Sequence, residues 1–366
     1  MRMLPINRHT VVFDSYWASQ FSSNEKAIYE YISRHYPKMK TVWFFKNRQI
    51  PINGKGKRVK VNSLKYWYYM ATAKYLFQNT NLPNQYFKRP GQIETETLHG
   101  TFLKHMGFDE PHFKNASRRV QDNFARRNRR WDYMVVPSKY MERIASNAFD
   151  YHQKIIPSGF PRNDELINHN NQKYINSIKH KLNIPLNKKV ILYAPTYRKH
   201  QRFDFPLDLG RLERELGNKY VFLVRLHYFV AHSGSFYDNP GFVYDVSDYP
   251  DINDLYLISD VLITDYSSVM FDYAYLKRPM IFYPYDETLY LDDRNRGTYL
   301  DYDSSMPGPI VKTESSLIHA LNNLDKVRYK YHDKSSSLLI DLLNTVARGP
   351  LPNKSWTPFY RLRKVN

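Results

Sequence analysis

The feature that most constrains the fold of this chain is an alternation between short apolar runs and longer segments with helical spacing. Its clearest instance begins with the apolar run at residues 261–264, continues through turn-forming residues at 265–268, and enters a helical pattern that ends near Lys277. A second apolar run follows at residues 280–283. This order is typical of a strand–helix–strand unit in a parallel sheet. Ligands of such sheets bind at the carboxyl ends of the strands, where a helix N-terminus favours an anion such as phosphate, although an ordinary crossover with a capped helix has the same pattern.

The same alternation recurs in both halves of the 366-residue chain. Strand-like runs occur at residues 9–15, 41–45, 58–61, 131–137, 189–194 and 220–227, with helical patterns between them that include residues 64–76. A polar stretch rich in Asn and Lys, at residues 165–186, separates two halves that each restart with a strand. We therefore predict an α/β fold of two Rossmann-type domains with a ligand cleft between them. The expected boundaries are 1–165 for the N-terminal domain, 166–345 for the C-terminal domain, and 346–366 for a tail that can return to the first.

The charge balance indicates an anionic partner. Lys and Arg number 54 against 35 Asp and Glu, which gives a formal net charge of +19, and the chain contains 32 tyrosines. A basic, tyrosine-rich composition suits nucleic acid, a phosphate-rich polymer or the inner leaflet of a membrane. The absence of cysteine excludes disulfides and cysteine-based nucleophiles or metal sites. No apolar run has transmembrane length, and we expect no signal peptide.

Two helical segments are candidates for membrane contact. Residues 117–130 contain six arginines, with only Asp122 as an internal counter-charge. On a helix several of these side chains share a face, and the residues expected to contact an anionic membrane or polymer are Arg118, Arg119, Arg126, Arg127 and Arg130. A solvated charged face is the alternative. The aromatic segment at residues 64–76 is the second candidate, for which burial in the core is the favoured interpretation.

Polar side chains at predicted strand ends provide candidate site residues. His99 follows a strand and precedes a glycine, which is a suitable place for a catalytic imidazole, although a lone histidine is often structural. Arg225 and His227 lie two residues apart at the end of another strand and therefore share a face, so together they can clamp a diphosphate. Arg198 follows a third strand and is a further candidate for phosphate contact.

An ordered set of motifs covers most of the chain: HGTFLK from His99, GFPRND from Gly159, ILYAPTYR from Ile191, RLH from Arg225, DVLITDYSS from Asp260, YPYD from Tyr283, RG at 296–297 and PGP at 307–309. In this order and spacing the motifs resemble the CDP-glycerol glycerophosphotransferases that build teichoic acids. The resemblance implies a GT-B-like fold, with an acceptor-side N-terminal domain and a C-terminal domain that binds CDP-glycerol. It also implies transfer of glycerol phosphate to a hydroxyl of a membrane-linked acceptor, with release of CMP.

The resemblance further assigns roles to residues. His99 and His227 correspond to the family's two essential histidines, and residues 265–268 correspond to its donor-binding loop. We expect His99 to take the proton of the acceptor hydroxyl as a general base, because imidazole titrates near neutral pH. His227, Arg225 and the helix N-terminus at 267–268 would stabilise the charge that develops on the departing CMP. The expected substrate-binding residues are Gly100, Thr101, Arg162, Pro195, Thr196, Arg198, Arg225, Asp265, Tyr266, Ser267, Ser268 and Asp272.

We expect no tightly bound cofactor, with CDP-glycerol as the donor substrate and a metal-free donor site preferred. The carboxylates of Asp292, Asp293, Asp301 and Asp303 keep a metal-dependent site open as an alternative. The expected partners are a lipid-linked polyol-phosphate acceptor and an anionic membrane surface, and no nucleic acid. The expected location is the cytoplasmic face of the bacterial membrane, as a peripheral protein.

Two alternative functions remain open from the sequence. One is a related transferase that uses CDP-ribitol or a nucleotide sugar, because its fold would have the same pattern. The other is a non-enzymatic protein that binds nucleic acid or another polyanion, which the net charge of +19 would suit. No nucleic-acid-binding motif supports the second alternative.

Overall fold

The computed structural model describes residues 3–198, 205–226, 239, 241–287 and 297–343. The chain divides into two compact units. The first contains residues up to Thr101 together with Met106–Arg162, and the second contains Phe102–His105 and Asn163–Asp341. The predicted tail at 346–366 lies outside the described residues. Each unit is built on one parallel sheet, so the predicted α/β class is confirmed at that level.

The sheet of the first unit has seven parallel strands. These are β1 (Asn7–Asp14), β2 (Lys40–Phe45), β3 (Lys57–Lys60), β4 (Ala73–Gln78), β5 (Ile93–Glu96), β6 (Tyr133–Val135) and β7 (Lys154–Ile156). Their spatial order is β3-β2-β1-β4-β5-β6-β7. The order grows outward on both sides of β1 and β4, as it does in doubly wound Rossmann folds.

The helices of the first unit are α1 (Ser23–His35), α2 (Leu64–Thr72), α3 (Pro111–Lys114), α4 (Arg118–Asn128) and α5 (Lys139–Phe149), with 3₁₀ turns at Gly107–Asp109 and Pro161–Asn163. The prediction of a helix over 64–76 is wrong at its C-terminal end. The helix stops at Thr72, and β4 begins at Ala73. Residues from Ala73 onward pair with β1 on one side and β5 on the other, so the sheet overrides the helical spacing of this segment.

Side chains of the strands pack on both faces of this sheet. Val11 and Phe13 of β1 belong to one core cluster, whereas Val12 between them belongs to a second cluster on the opposite face. Tyr66 and Tyr69 of α2 pack into the second cluster and are buried. The aromatic helix therefore contributes to the core, as the favoured interpretation of the sequence predicts.

The sheet of the second unit has five parallel strands in the order β10-β9-β8-β11-β12. These are β8 (Lys189–Tyr193), β9 (Tyr220–Val224), β10 (Val243–Asp245), β11 (Val261–Thr264) and β12 (Met280–Phe282). The helices are α6 (Asp164–Asn168), α7 (Gln172–Lys181), α8 (Leu209–Leu216), α9 (Ile252–Ile258), α10 (Val269–Tyr273), α11 (Tyr302–Ser305), α12 (Glu314–Asn322) and α13 (Leu324–Leu343), with a 3₁₀ turn at Ala274–Leu276. Among all the residues described, no helix is both long and apolar enough to cross a bilayer.

Both sheets contain a point at which the strand order reverses. It lies between β1 and β4 in the first unit and between β8 and β11 in the second. Ligands of open α/β sheets bind at the carboxyl ends of the strands at this point. These two places are therefore where a functional site is expected, and the motifs of the sequence lie at both of them.

Candidate functional site

His99 lies in the loop that follows β5, and its side chain is exposed. The His99 Nδ1 lies 3.0 Å from the carbonyl oxygen of Asn79, the residue that follows β4. A carbonyl oxygen only accepts hydrogen bonds, so Nδ1 carries the hydrogen and Nε2 of the neutral ring keeps its lone pair. The arrangement therefore provides a basic nitrogen of the kind that a general base requires.

The loop that carries His99 is held in an uncommon backbone conformation. Leu98 has φ of +56°, in the left-handed region that a residue with a side chain seldom adopts. The Leu98 N–H donates to Oε1 of Glu96 at 2.8 Å. Asn24 Nδ2 donates to the carbonyl oxygens of Thr97 and Leu98 at 3.1 and 3.0 Å. Strain of this kind persists only where surrounding contacts fix the backbone, and here those contacts set the direction in which His99 leaves the loop.

Arg162, a predicted substrate-binding residue, packs against this loop. Its side chain is 6% exposed, and Nη1 donates to the His99 carbonyl at 3.0 Å and to the Ser23 hydroxyl at 3.2 Å. The Arg162 backbone N–H lies 3.3 Å from Oδ1 of Asn24. The guanidinium carbon lies 5.0 Å from the centroid of the Phe160 ring. These contacts position the His99 loop, and the predicted contact of Arg162 with substrate stays a prediction.

Four buried carboxyl groups lie in this part of the first unit: Asp14 on β1, Glu25 on α1, and Glu94 and Glu96 on β5. Burial raises the pKa of Asp14 to about 7, that of Glu25 to about 8 and that of Glu94 to about 7. Burial also raises the pKa of Glu96 well above its ordinary value. Glu25 Oε1 accepts the hydroxyl of Thr97, at 2.5 Å. Glu25 and Glu96 are the two of these groups that accept hydrogen bonds from residues 97 and 98 and so help to hold the loop.

The other residues of the HGT motif are enclosed by protein. Gly100 is buried, and Thr101 is 2% exposed. Further along, Gly107 has φ of +52°, and a Cβ there would lie 2.1 Å from the carbonyl oxygen of Ala148, so only glycine fits. The predicted contact of Gly100 and Thr101 with substrate stays a prediction.

In the second unit, Arg198 follows β8 and joins two carboxylates, one after β11 and one after β12. Arg198 Nε and Nη2 donate to Asp286 at 2.6 and 2.7 Å, and Nη2 also donates to Oδ2 of Asp265 at 2.8 Å. Oδ1 of Asp265 accepts the Thr196 N–H at 2.8 Å. Pro195, the residue before Thr196, is buried. Arg198 is 6% exposed and Asp265 is 1% exposed. Their bidentate, buried pairing fixes the shape of the loops that carry them, and the predicted contact of these two residues with the donor stays a prediction.

The rest of the predicted donor loop is partly accessible. Tyr266 is 1% exposed, and its ring centroid lies 4.8 Å from that of Tyr302. Ser267 and Ser268 are half-buried, and the Ser268 side chain makes no capping bond to α10. The helical pattern predicted to end near Lys277 is a five-residue helix that continues as a 3₁₀ turn. The dipole of so short a helix is small, so the two serine hydroxyls and nearby N–H groups are the better candidates for phosphate contact.

Two other predicted binding residues make structural contacts. Asp272 is 6% exposed and accepts a hydrogen bond from Asn163 Nδ2 at 2.8 Å, which links α10 to the GFPRND motif. Arg225 Nη1 donates to the carbonyl oxygens of Val246 and Tyr249 at 2.6 and 2.5 Å. Arg225 thus connects the end of β9 to the loop after β10. Its predicted role in a diphosphate clamp stays a prediction.

The second predicted catalytic residue, His227, lies outside the described residues, as do Asp292 and Asp293. Asp301 accepts hydrogen bonds from the hydroxyl and the N–H of Ser304, which lower its pKa, and it caps α11. Within the described ranges, no three His, Cys, Asp or Glu side chains are arranged to hold a metal ion. Asp301 therefore has a capping role that accounts for its position.

The predicted arginine surface on α4 is smaller than expected. The Arg130 side chain is 11% exposed, lies 3.5 Å from Glu94 and donates to the carbonyl of Tyr86 at 3.1 Å, and its predicted contact with a membrane or polymer stays a prediction. Arg127 is half-buried and packs over the ring of Phe124. Arg130 likewise packs over the ring of Tyr86, so both guanidinium groups turn toward the protein. The arginines that remain exposed on this helix are Arg118, Arg119 and Arg126.

Comparisons with known proteins agree with the motifs. The family model described as CDP-Glycerol:Poly(glycerophosphate) glycerophosphotransferase matches residues 1–342. The chain is 42% identical over 339 residues to a teichoic acid poly(glycerol phosphate) polymerase of Bacillus subtilis (strain 168), which covers 89% of this chain and 45% of that protein. It is 41% identical over 345 residues to a teichoic acid glycerol-phosphate transferase of Staphylococcus aureus, which covers 89% of this chain and 86% of that protein. The chain thus spans about half the length of the first relative and most of the second.

A solved structure is similar over nearly the whole chain. The wall teichoic acid polymerase TagF superposes with a TM-score of 0.87 and is 37% identical in sequence. The match covers 93% of this chain and 86% of that one. A variant of that polymerase has also been solved after a soak with CDPG. The match of the family model over residues 1–342 and the identity of about 40% to these relatives together show that the chain belongs to the CDP-glycerol:poly(glycerophosphate) glycerophosphotransferase family.

Proposed function

We propose that this protein transfers glycerol phosphate from CDP-glycerol to a hydroxyl of a membrane-linked acceptor, such as teichoic acid or a similar polyol phosphate, and releases CMP. The proposal includes a GT-B-like arrangement of the two units, with acceptor groups in the first and donor groups in the second. The observation that carries it is the fixed tautomer of His99, held by the Asn79 carbonyl at the reversal point of the first sheet. Family membership supports the same reaction class.

The proposed step is a single displacement at phosphorus. The acceptor hydroxyl oxygen attacks the β-phosphorus of CDP-glycerol, and its proton moves to Nε2 of His99. The bond between the β-phosphorus and the bridging oxygen breaks, and CMP leaves with that electron pair. Because phosphoryl transfer depends mainly on positioning and charge neutralisation, the rigid loop beneath His99 is the part of this geometry that serves catalysis most directly.

On the donor side, we propose that the Arg198–Asp265 pair acts indirectly. It holds residues 265–268 at the end of β11, so that the half-buried Ser267 and Ser268 present their hydroxyls and N–H groups to the diphosphate. His227 would add a further donor to the leaving phosphate, by its correspondence to the family motif.

We also propose that the protein works at the cytoplasmic face of the membrane as a peripheral protein. The exposed arginines Arg118 and Arg119 support this, because such side chains attract anionic lipid headgroups. Sedimentation with vesicles that contain phosphatidylglycerol tests the surface. The change Arg118→Glu should weaken binding, whereas Arg214→Glu, which alters the net charge equally at an exposed arginine of α8, should have a smaller effect. Equal weakening by both variants would show that net charge alone, and not this surface, governs binding.

The test of the donor is CMP release by the purified protein. CDP-glycerol, CDP-ribitol and UDP-glucose are each supplied with a lipid-linked glycerol phosphate primer, and CMP or UDP is quantified. We expect release with CDP-glycerol at a rate at least about tenfold above the other two. Faster release with CDP-ribitol or UDP-glucose would contradict the proposed donor. Absence of release with all three, together with salt-dependent binding of nucleic acid, would favour the polyanion-binding alternative.

A further inference from the structure

The turn that follows β1 contains three successive residues with left-handed backbone. Tyr16, Trp17 and Ala18 have φ of +47°, +53° and +59°. Each is a non-glycine residue, and for such residues this conformation costs free energy because Cβ crowds the neighbouring carbonyl. Consecutive residues of this kind are rare, and strain of this type concentrates where a site needs a particular placement of side chains.

Side chains from two strand ends hold this turn. Asn79 Oδ1 accepts the Tyr16 N–H at 2.9 Å, and Asp14 Oδ1 accepts the Ala18 N–H at 2.8 Å. The hydroxyl of Thr80 accepts the Trp17 N–H at 3.3 Å. All three N–H groups of the turn therefore have protein partners. The turn is not a cradle for phosphate, and what it determines is the placement of the side chains it carries.

The Tyr16 side chain lies beside the proposed base, and Trp17 follows it in the same turn. The Tyr16 ring centroid lies 6.2 Å from that of His99, with the two rings tilted by 57°. Trp17 is 47% exposed, whereas Ala18 is 1% exposed and anchors the turn. Asn79 holds both the imidazole and the turn, because its carbonyl accepts from His99 Nδ1 and its side chain accepts from the Tyr16 N–H. The turn and the imidazole are thus fixed relative to each other within the first unit.

The chemistry of the acceptor suits such an aromatic surface. A base must lie against the hydroxyl that it deprotonates, so the groups beside His99 meet the carbon chain next to that hydroxyl. A polyol presents C–H groups along its backbone, and these pack on aromatic faces, which give large contact area at low cost in side-chain entropy. We propose that Tyr16 and Trp17 form the acceptor-binding wall of the site and direct the terminal polyol of the acceptor toward His99. This inference rests on the proposed function and adds the residues that recognise the acceptor.

Two substitutions of Trp17 separate binding from folding. Trp17→Gly removes the ring and also relieves the left-handed backbone, so the midpoint of thermal unfolding should stay the same or rise. With a short, water-soluble glycerol phosphate oligomer as acceptor, its KM should rise about tenfold, while the KM for CDP-glycerol should not change. Trp17→Phe, which keeps an aromatic face, should restore most of the loss. Tyr68→Ala, at a 41% exposed aromatic of α2, is the matched control and should leave both KM values unchanged.

A binding measurement keeps this inference separate from the proposed reaction. The same oligomer is titrated without donor, and the tryptophan emission is recorded for the wild type and for Trp17→Phe. We expect a change in the wild-type emission that is absent in the variant, whether or not the protein releases CMP. An unchanged acceptor KM in Trp17→Gly, or an equal rise in both KM values, would overturn the proposal. A loss seen only with vesicle-bound acceptor would also overturn it and would identify Trp17 as a membrane contact.

Discussion

Removal of the Asn24 side chain tests the claim that buried hydrogen bonds position the His99 loop. Asn24 is 0% exposed and donates from Nδ2 to the carbonyl oxygens of Thr97 and Leu98 at 3.1 and 3.0 Å. Its Oδ1 also lies 3.3 Å from the Arg162 N–H. In Asn24→Ala these three backbone groups lose their side-chain partner inside the protein.

The expected loss of stability in Asn24→Ala follows from these contacts. A buried hydrogen bond contributes ~1 kcal/mol net, and a buried polar group left without a partner costs ~1–3 kcal/mol. The Leu98 carbonyl keeps a long contact with the Thr97 hydroxyl at 3.4 Å, and the contact to Arg162 is long as well, so the loss lies below the sum of three full penalties. We expect the free energy of unfolding of the first unit to fall by about 3 kcal/mol. The Leu98 carbonyl would also lose the hydrogen bond that helps to position the His99 loop, so kcat should fall by at least about tenfold.

The assay is urea unfolding followed by tryptophan emission. Trp17, Trp43, Trp67 and Trp131 all lie in the first unit, and a Trp356→Phe background removes the fifth tryptophan, which lies outside the described residues. Asn47→Ala, at an exposed asparagine, is the control and should change the free energy of unfolding by less than about 0.5 kcal/mol. A loss below about 1 kcal/mol in Asn24→Ala, with kcat unchanged, would refute the reasoning.

Three further predictions concern stability. Burial raises the pKa of Asp14 to about 7 from its ordinary value of 3.8, so the folded state binds a proton more tightly and loses stability as pH rises between these values. Asp14→Asn keeps an acceptor for the Ala18 N–H and should be more stable than the wild type at pH 8 but not at pH 4. The same difference in melting temperature between variant and wild type at both pH values would contradict this. Gly107→Ala should lower the free energy of unfolding by more than about 3 kcal/mol, whereas Gly210→Ala, where a Cβ meets nothing closer than 3.4 Å, should be neutral or stabilising. Arg198→Lys should cost about 3–5 kcal/mol in the second unit because lysine cannot pair with two carboxylates in the same geometry, and a loss under about 1 kcal/mol would contradict the role of that pair.

The strands could be predicted from sequence because their signal is local. The apolar runs at 189–194 and 261–264 are each as long as a strand and are bounded by polar residues, and the structure has β8 and β11 there. The segment at 73–78 was harder, because its spacing also suits a helix. Only its pairing with β1 and β5, which are distant in sequence, decides that it is a strand.

The functional residues also divide into those with a local sequence signal and those that only the fold brings together. His99 could be found from its motif, since a strand end and a glycine-containing loop are local features. The residues that position it could not, because Asn24 and Glu25 lie more than 70 residues before the loop they support, and only the fold brings them there. Arg130 has a local pattern that suggests a surface, and its contacts with Glu94 and with the carbonyl of Tyr86 become visible only in the folded chain.

The most direct test of the account compares two histidine variants in one assay. CMP release from CDP-glycerol with a lipid-linked primer is measured for the wild type, for His99→Ala and for His152→Ala, with folding checked by circular dichroism. His152 is the control because its side chain is 73% exposed and its hydrogen bond to Asp150 lies away from the β1 and β4 strand ends. The account predicts that His99→Ala loses at least about 100-fold in turnover, and that His152→Ala retains the wild-type rate. Near-normal turnover in a correctly folded His99→Ala protein would contradict the role of His99 as general base.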